Sequence, residues 1–269
     1  MPETFLILLA AGILLAAAIS DPKQVTLHWL RLAGILALAF EGLSLYFLLS
    51  RGAVSDAPAF FQRLQVGQVI ATLVLTLGQL AFVQIAWRKT QRAFAWAGFV
   101  VGALAGTALL HDMMLLRGSE MNFPPKLLAM TIQTIACMGA AAICGIGLMD
   151  MLLGHAYLTA AKMTIDPFRR LNRALAISMI LRGVICVAGL VILQSWKPVY
   201  MLWGLHGLLI GTRLFVGLLV PAVFVWMAAD CIRRRSTQSA TGILYVAGVL
   251  LFIGEIVALY LVRETGIPF

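Results

Sequence analysis

Eight stretches of this chain are apolar for about the length a helix needs to cross a bilayer, and no other feature limits its fold as strongly. A hydrocarbon core of about 30 Å takes roughly 20 helical residues. The runs cover, with soft edges, 4–19, 27–49, 65–87, 93–116, 127–153, 172–194, 201–230 and 241–262. In hydrocarbon each backbone N–H and C=O must find its partner inside the protein, so such runs form helices or the strands of a closed barrel. Barrel strands alternate apolar with polar residues and are about half as long. The chain of 269 residues is 62% hydrophobic and only 12% charged. A soluble domain of that size could not hide so much apolar surface. A soluble enzyme, a disordered chain and a coiled coil are thereby excluded. The expected fold is all-α: a polytopic integral membrane protein with eight transmembrane helices in one membrane domain, 1–269.

The first run is the shortest, and Ala16-Ala17-Ala18 resembles the cleavage region of a signal peptide. No Lys or Arg precedes it, so it is expected to stay as the first membrane helix. The runs are joined by brief polar segments at 20–22, 51–58, 88–92, 118–125, 195–198 and 233–239; only 154–171 is long enough to lie along the interface as a separate piece.

Lys and Arg number 20 against 11 Asp and Glu. In a membrane protein this excess reads as basic loops facing the cytoplasm rather than as a nucleic-acid surface. Connections after the odd-numbered spans hold 11 basic residues (Lys23, Arg88, Lys89, Arg92, Lys162, Arg169, Arg170, Arg173, Arg233, Arg234 and Arg235), whereas the opposite side holds 6. The bias predicts a bacterial inner-membrane protein with both termini on the outer side. Trp29, Trp87, Trp196 and Trp203 fall near span ends, where interface anchors are expected.

Short matches suggest an internal repeat. Asp21-Pro22-Lys23 is echoed by Asp166-Pro167-Phe168, and Thr90-Gln91 by Thr237-Gln238. These matches divide the domain into pseudo-repeat halves, 1–126 and 127–269, of four spans each and like orientation.

Ionisable residues inside spans are costly unless paired or hydrated. Glu41, Arg182, Arg213 and Glu255 lie in the second, sixth, seventh and eighth runs. At 1.5 Å per residue, Glu41, Arg213 and Glu255 lie roughly 20–25 Å from the predicted cytoplasmic boundary, and Arg182 roughly 12 Å. Arg213 with Glu41 or Glu255 is thus a depth-matched ion pair: a bundle clamp, a partner for a cofactor carboxylate or part of a proton path. Gln65, Gln68, Thr72, Thr76 and Gln79 share one face of the third run, which suits interhelical hydrogen bonding or a polar lining. Gly98, Gly102 and Gly106, and Gly207 with Gly211, permit close helix approach. The four cysteines, Cys137, Cys144, Cys186 and Cys231, sit in apolar runs without a CxxC pair and read as small packing residues.

The chain has four histidines, each on a different span. His28 and His155 fall at the predicted cytoplasmic side, His111 and His206 toward the outer side. Bis-imidazole ligation of b-type haem needs two histidines from facing helices at one depth, and two stacked haems would use this inventory completely: His111 with His206, and His28 with His155. Arg213 shares a face with His206 two turns away and could neutralise a propionate; Arg182 is the other candidate for tuning cofactor charge. His155 and Tyr157 could instead hold a quinone carbonyl.

HExxH, Walker A, GxSxG and a Gly-rich nucleotide loop are absent. The general architecture resembles that of membrane cytochrome b and quinone-reactive anchor subunits, a likeness of architecture alone. The functional expectation is a membrane subunit of a bacterial redox complex, binding b-type haem or quinone and working with other subunits in the bilayer, without nucleic acid. Its rivals are a transporter or channel lined by the intramembrane charges, against which Pro221 as the single mid-span proline counts, and a cofactor-free anchor.

Overall fold

The computed structural model describes residues 1–50, 59–115, 126–159, 164–196 and 205–265. Every element among them is helical: α1 (Pro2–Ile19), α2 (Leu27–Ser50), α3 (Ala59–Ala81), α4 (Arg88–Leu115), α5 (Lys126–Thr159), α6 (Asp166–Trp196), α7 (Leu205–Leu214), α8 (Val220–Arg233) and α9 (Thr237–Thr265). A π-helical turn, Phe215–Leu219, joins α7 to α8 as one span. Among the described residues eight helices are then long and apolar enough to cross a membrane, the all-α polytopic architecture expected from the eight runs. The connections at 51–58 and 118–125, and residues 197–198 of the connection at 195–198, lie outside the described residues.

The helices close into two rings. In the first, α1, α2, α3 and α4 each pack on the next and α4 returns to α1; in the second, α5 packs on α6, α6 on α8, α8 on α9 and α9 on α5. The rings meet along α1 and α5. The shortest span therefore takes the central place, with 78% of α1 buried against 28% of α2. A helix apolar on all sides belongs in an interior, and α1 is apolar from Phe5 to Ile19.

Small residues set these approaches. A Cβ on Gly12 of α1 would fall 1.7 Å from the carbonyl oxygen of Ala141 on α5, and one on Gly145 would fall 1.9 Å from the carbonyl carbon of Gly12. The two backbones are in direct contact there. Gly98, Gly102 and Gly106 of α4 form the seat for Leu14, Ala11 and Leu8 of α1, as their spacing suggests. Gly211 has no such partner: nothing lies within 4 Å of a Cβ placed on it. The close contact of the seventh span comes instead from Gly217 in the π turn, against Gly254 of α9. Pro221 has no N–H to give the carbonyl four residues back, and a local change of winding is the usual response.

Three element boundaries differ from the sequence reading. The segment 154–171 is no separate interfacial piece, because α5 continues to Thr159 and α6 starts at Asp166. Pro167 in the first turn has a dihedral already suited to a helix, and Arg169, Arg170 and Arg173 can reach water from it. The third span ends at Ala81, and residues 88–92 open α4 rather than forming a loop. Phe82 stacks on Phe94, with ring centroids 5.6 Å apart, and closes that turn. Trp29 is no interface anchor, since it is buried in the core beside α1; Trp87 is exposed, and the side chains of Trp196 and Trp203 lie outside the described residues.

Helix α8 ends in a paired-carbonyl cap. The N–H of Arg235 donates to Ile232 O (3.1 Å) and that of Ser236 to Cys231 O (2.9 Å), the Schellman pattern. Arg235 takes the left-handed position, φ 61°, where glycine is the usual residue.

Candidate functional site

The largest concentration of buried charge lies in the second ring. Glu255 of α9 is held by two arginines. Arg182 of α6 donates to it through two nitrogens, Nε to Oε1 at 3.1 Å and Nη2 to Oε2 at 2.9 Å. Arg213 of α7 donates Nη2 to Oε1 at 2.6 Å. All three side chains are at most 2% exposed. The Arg213–Glu255 pair is the depth-matched pair expected from the sequence, and Glu41 takes no part in it.

Arg182 joins this pair although its sequence-derived depth, roughly 12 Å, set it apart. The discrepancy comes from the start of α6. Counted from Asp166, Arg182 lies about 24 Å along its helix, level with its partners. Gly217 and Gly254 make room beside the cluster: a Cβ on either would fall 3.2 or 3.1 Å from Nη1 of Arg213. The π turn begins two residues after Arg213, so the break in winding adjoins the charge.

Two guanidiniums against one carboxylate leave an excess positive charge in a bundle interior, a costly arrangement without a further acceptor. Nη1 of Arg182 and both Nε and Nη1 of Arg213 have no hydrogen-bond partner among the described residues. Unpaired guanidinium nitrogens of this kind are chemically suited to a carboxylate, a small anion or a carbonyl oxygen. All four cysteines are free thiols.

The first ring has a polar interior of the opposite character. Glu41 of α2 is fully buried and accepts a hydrogen bond from the Thr76 hydroxyl at 2.7 Å; its Oε2 has no partner among the described residues. Gln65 and Gln79 of α3 donate to backbone carbonyls of Ala108 on α4 (3.3 Å) and Leu30 on α2 (3.5 Å). Gln65, Thr72, Thr76 and Gln79 are buried, so this face of α3 points into the protein and links helices. The sequence reading passes over two further buried carboxyls: Glu3 of α1, paired with the terminal amine at 2.9 Å, and Asp150 of α5, which accepts from Asn172 of α6 at 3.2 Å. An Asp inside the run 127–153 was the available signal.

The histidines occupy the ends of four helices. His28 opens α2 and His155 lies near the end of α5, both exposed; His111 near the end of α4 and His206 at the start of α7 are half-buried. α4 packs on α1, α3 and α5 and touches α9, and α7 packs on α9 and the π turn. Among the predicted residues, Arg182 and Arg213 are brought together at one point, on Glu255. Among the described residues no group of three or more His, Cys, Asp and Glu side chains is placed to hold a metal ion. No protein-family model matches this chain, and no curated protein matches it in sequence.

Proposed function

We propose that this chain is an integral membrane subunit of a redox complex. In this reading it holds an acceptor-bearing cofactor in the second ring and passes electrons between the quinone pool and partner subunits. The observation that supports the reading is the pair of buried arginines sharing one carboxylate, with three guanidinium nitrogens unpaired among the described residues. A quinone carbonyl suits these donors, and a haem propionate would neutralise the excess charge. Quinone enters through the arginines, which stand together. Haem enters through His111 with His206 and His28 with His155, which need facing helices. The cofactor would supply the redox chemistry, while the protein sets its position and electrostatics.

The test is purification of the full chain, followed by reduced-minus-oxidised absorption spectra and extraction of bound quinone. Quinone retained by the wild type and lost on Arg213→Gln supports the reading. A b-type haem band lost on His206→Leu extends it to haem. Protein free of both, purified with its partners in place, would overturn it.

A specific feature favours a transporter as the second reading. The seventh span changes winding directly beside a buried arginine, and locally rewound helices often mark ligand paths. Anion flux into proteoliposomes, abolished by Arg213→Gln, is the corresponding assay.

A further inference from the structure

We propose that the cleft between α6 and α8 binds the phosphate headgroup of an anionic glycerophospholipid, independently of the cofactor reading. The cleft has a volume of about 580 Å³. Arg169 and Arg173 line one wall and Arg233 the other, with Asn172, Ala176 and Trp226 between them. Arg169 and Arg173 are four residues apart and share a face of α6, within about 11 Å of its first residue. The arginines from the two helices therefore surround the mouth of the cleft at one end of the bundle.

The local charge is not balanced by the protein. Asp230 is the acidic residue lining the cleft, and it is shared by Arg233 and Arg234. Arg169 has only a long contact with Asp166, at 3.9 Å. Arg173 has no ion pair among the described residues and is exposed. A phosphate at the mouth would accept from guanidiniums on both walls, the geometry in which arginine recognises phosphate best.

The rest of the cleft suits acyl chains. Beyond the arginines, Asn172 and Asp230 the lining is apolar, and Trp226, about 10 Å along α8 from Arg233, is 73% exposed. Ile177, Ile180 and Val184 of α6 and Val223 of α8 continue this exposed apolar surface along the span. The site is thus cationic at the helix ends and apolar toward the membrane interior. A soluble phosphate would use only the first part and a neutral lipid only the second. The basic end is also the end that the positive-inside bias places in the cytoplasm, where the leaflet is rich in anionic lipid.

The test uses the full chain in neutral detergent, with native mass spectrometry and thermal unfolding, titrated with phosphatidylglycerol, phosphatidylcholine or inorganic phosphate. Phosphatidylglycerol is expected to be retained and to raise the unfolding temperature. Arg169→Gln with Arg173→Gln should weaken that retention by about tenfold or more. Arg173→Gln alone, at an exposed and unpaired position, should weaken it measurably in a protein that still folds. Lys89→Gln, at the same end but away from the cleft, should leave retention unchanged. Equal retention of phosphatidylcholine, full competition by inorganic phosphate, or unchanged retention in Arg173→Gln would each overturn the assignment.

Discussion

Glu255→Gln provides the most direct test of how the second ring is held together. In the native cluster one carboxylate serves two guanidiniums, through three hydrogen bonds of 2.6–3.1 Å. The amide keeps the size of the side chain but removes its charge, leaving two buried cations without an anion. Removing one partner of a buried ion pair costs about 3–5 kcal/mol, and an arginine at mid-bilayer costs about 2.5–3.5 kcal/mol on insertion scales. Arg213→Gln acts differently. It breaks one hydrogen bond, worth about 0.6–1.7 kcal/mol within a membrane, and leaves Arg182 and Glu255 as a neutral, doubly bonded pair. The expected order is therefore a loss of about 3 kcal/mol or more for Glu255→Gln and of about 1–2 kcal/mol for Arg213→Gln. The difference, about 2 kcal/mol, is roughly thirtyfold in the unfolding equilibrium. Reversible unfolding in bicelles can measure it, and thiol labelling of Cys137, Cys144 and Cys186, all buried, gives an independent readout. If Arg213→Gln proved as damaging as Glu255→Gln, the two-against-one charge account would be wrong. Replacing all three residues by Met or Leu should restore much of the stability while abolishing any binding of an acceptor at this cluster.

Gly12→Ala and Gly145→Ala should each destabilise by about 1–3 kcal/mol or more, because the added methyl meets backbone. Gly42→Ala and Gly211→Ala, with open space around them, should stabilise by about 0.5–1 kcal/mol; thermal unfolding separates the two pairs. Thr76→Val removes the hydrogen bond to Glu41 and should cost about 1 kcal/mol, an effect that should vanish in a Glu41→Leu background. Arg235→Gly should gain about 1 kcal/mol, because φ 61° is strained for arginine and free for glycine; no gain in unfolding temperature would refute this. Single cysteines at Lys89 and Arg234 should both label from the cytoplasmic face, and labelling of either from outside would reverse the proposed orientation.

The membrane class, the number of spans and the presence of charge among them follow from sequence alone. The reason is physical: hydrocarbon imposes a length and a composition on each helix separately, so each run can be read without its neighbours. Local spacing also revealed the inward face of α3 and the glycine seat on α4, since helical periodicity places those residues on one side whatever packs there. The depth argument matched Arg213 with Glu41 or Glu255, and the structure pairs it with Glu255. It missed Arg182 because an apolar window cannot tell where a helix with a polar first turn begins, and the earlier start of α6 displaced Arg182 by about 12 Å. The central position of α1, the Gly12–Gly145 contact and the Gly217–Gly254 contact beside a rewound turn were not legible in the chain. In a bilayer lipid is as apolar as a neighbouring helix, so hydropathy does not say which side of a span faces protein. That choice is made by close packing between residues far apart in sequence, and only the tertiary structure places two arginines from different helices around one carboxylate.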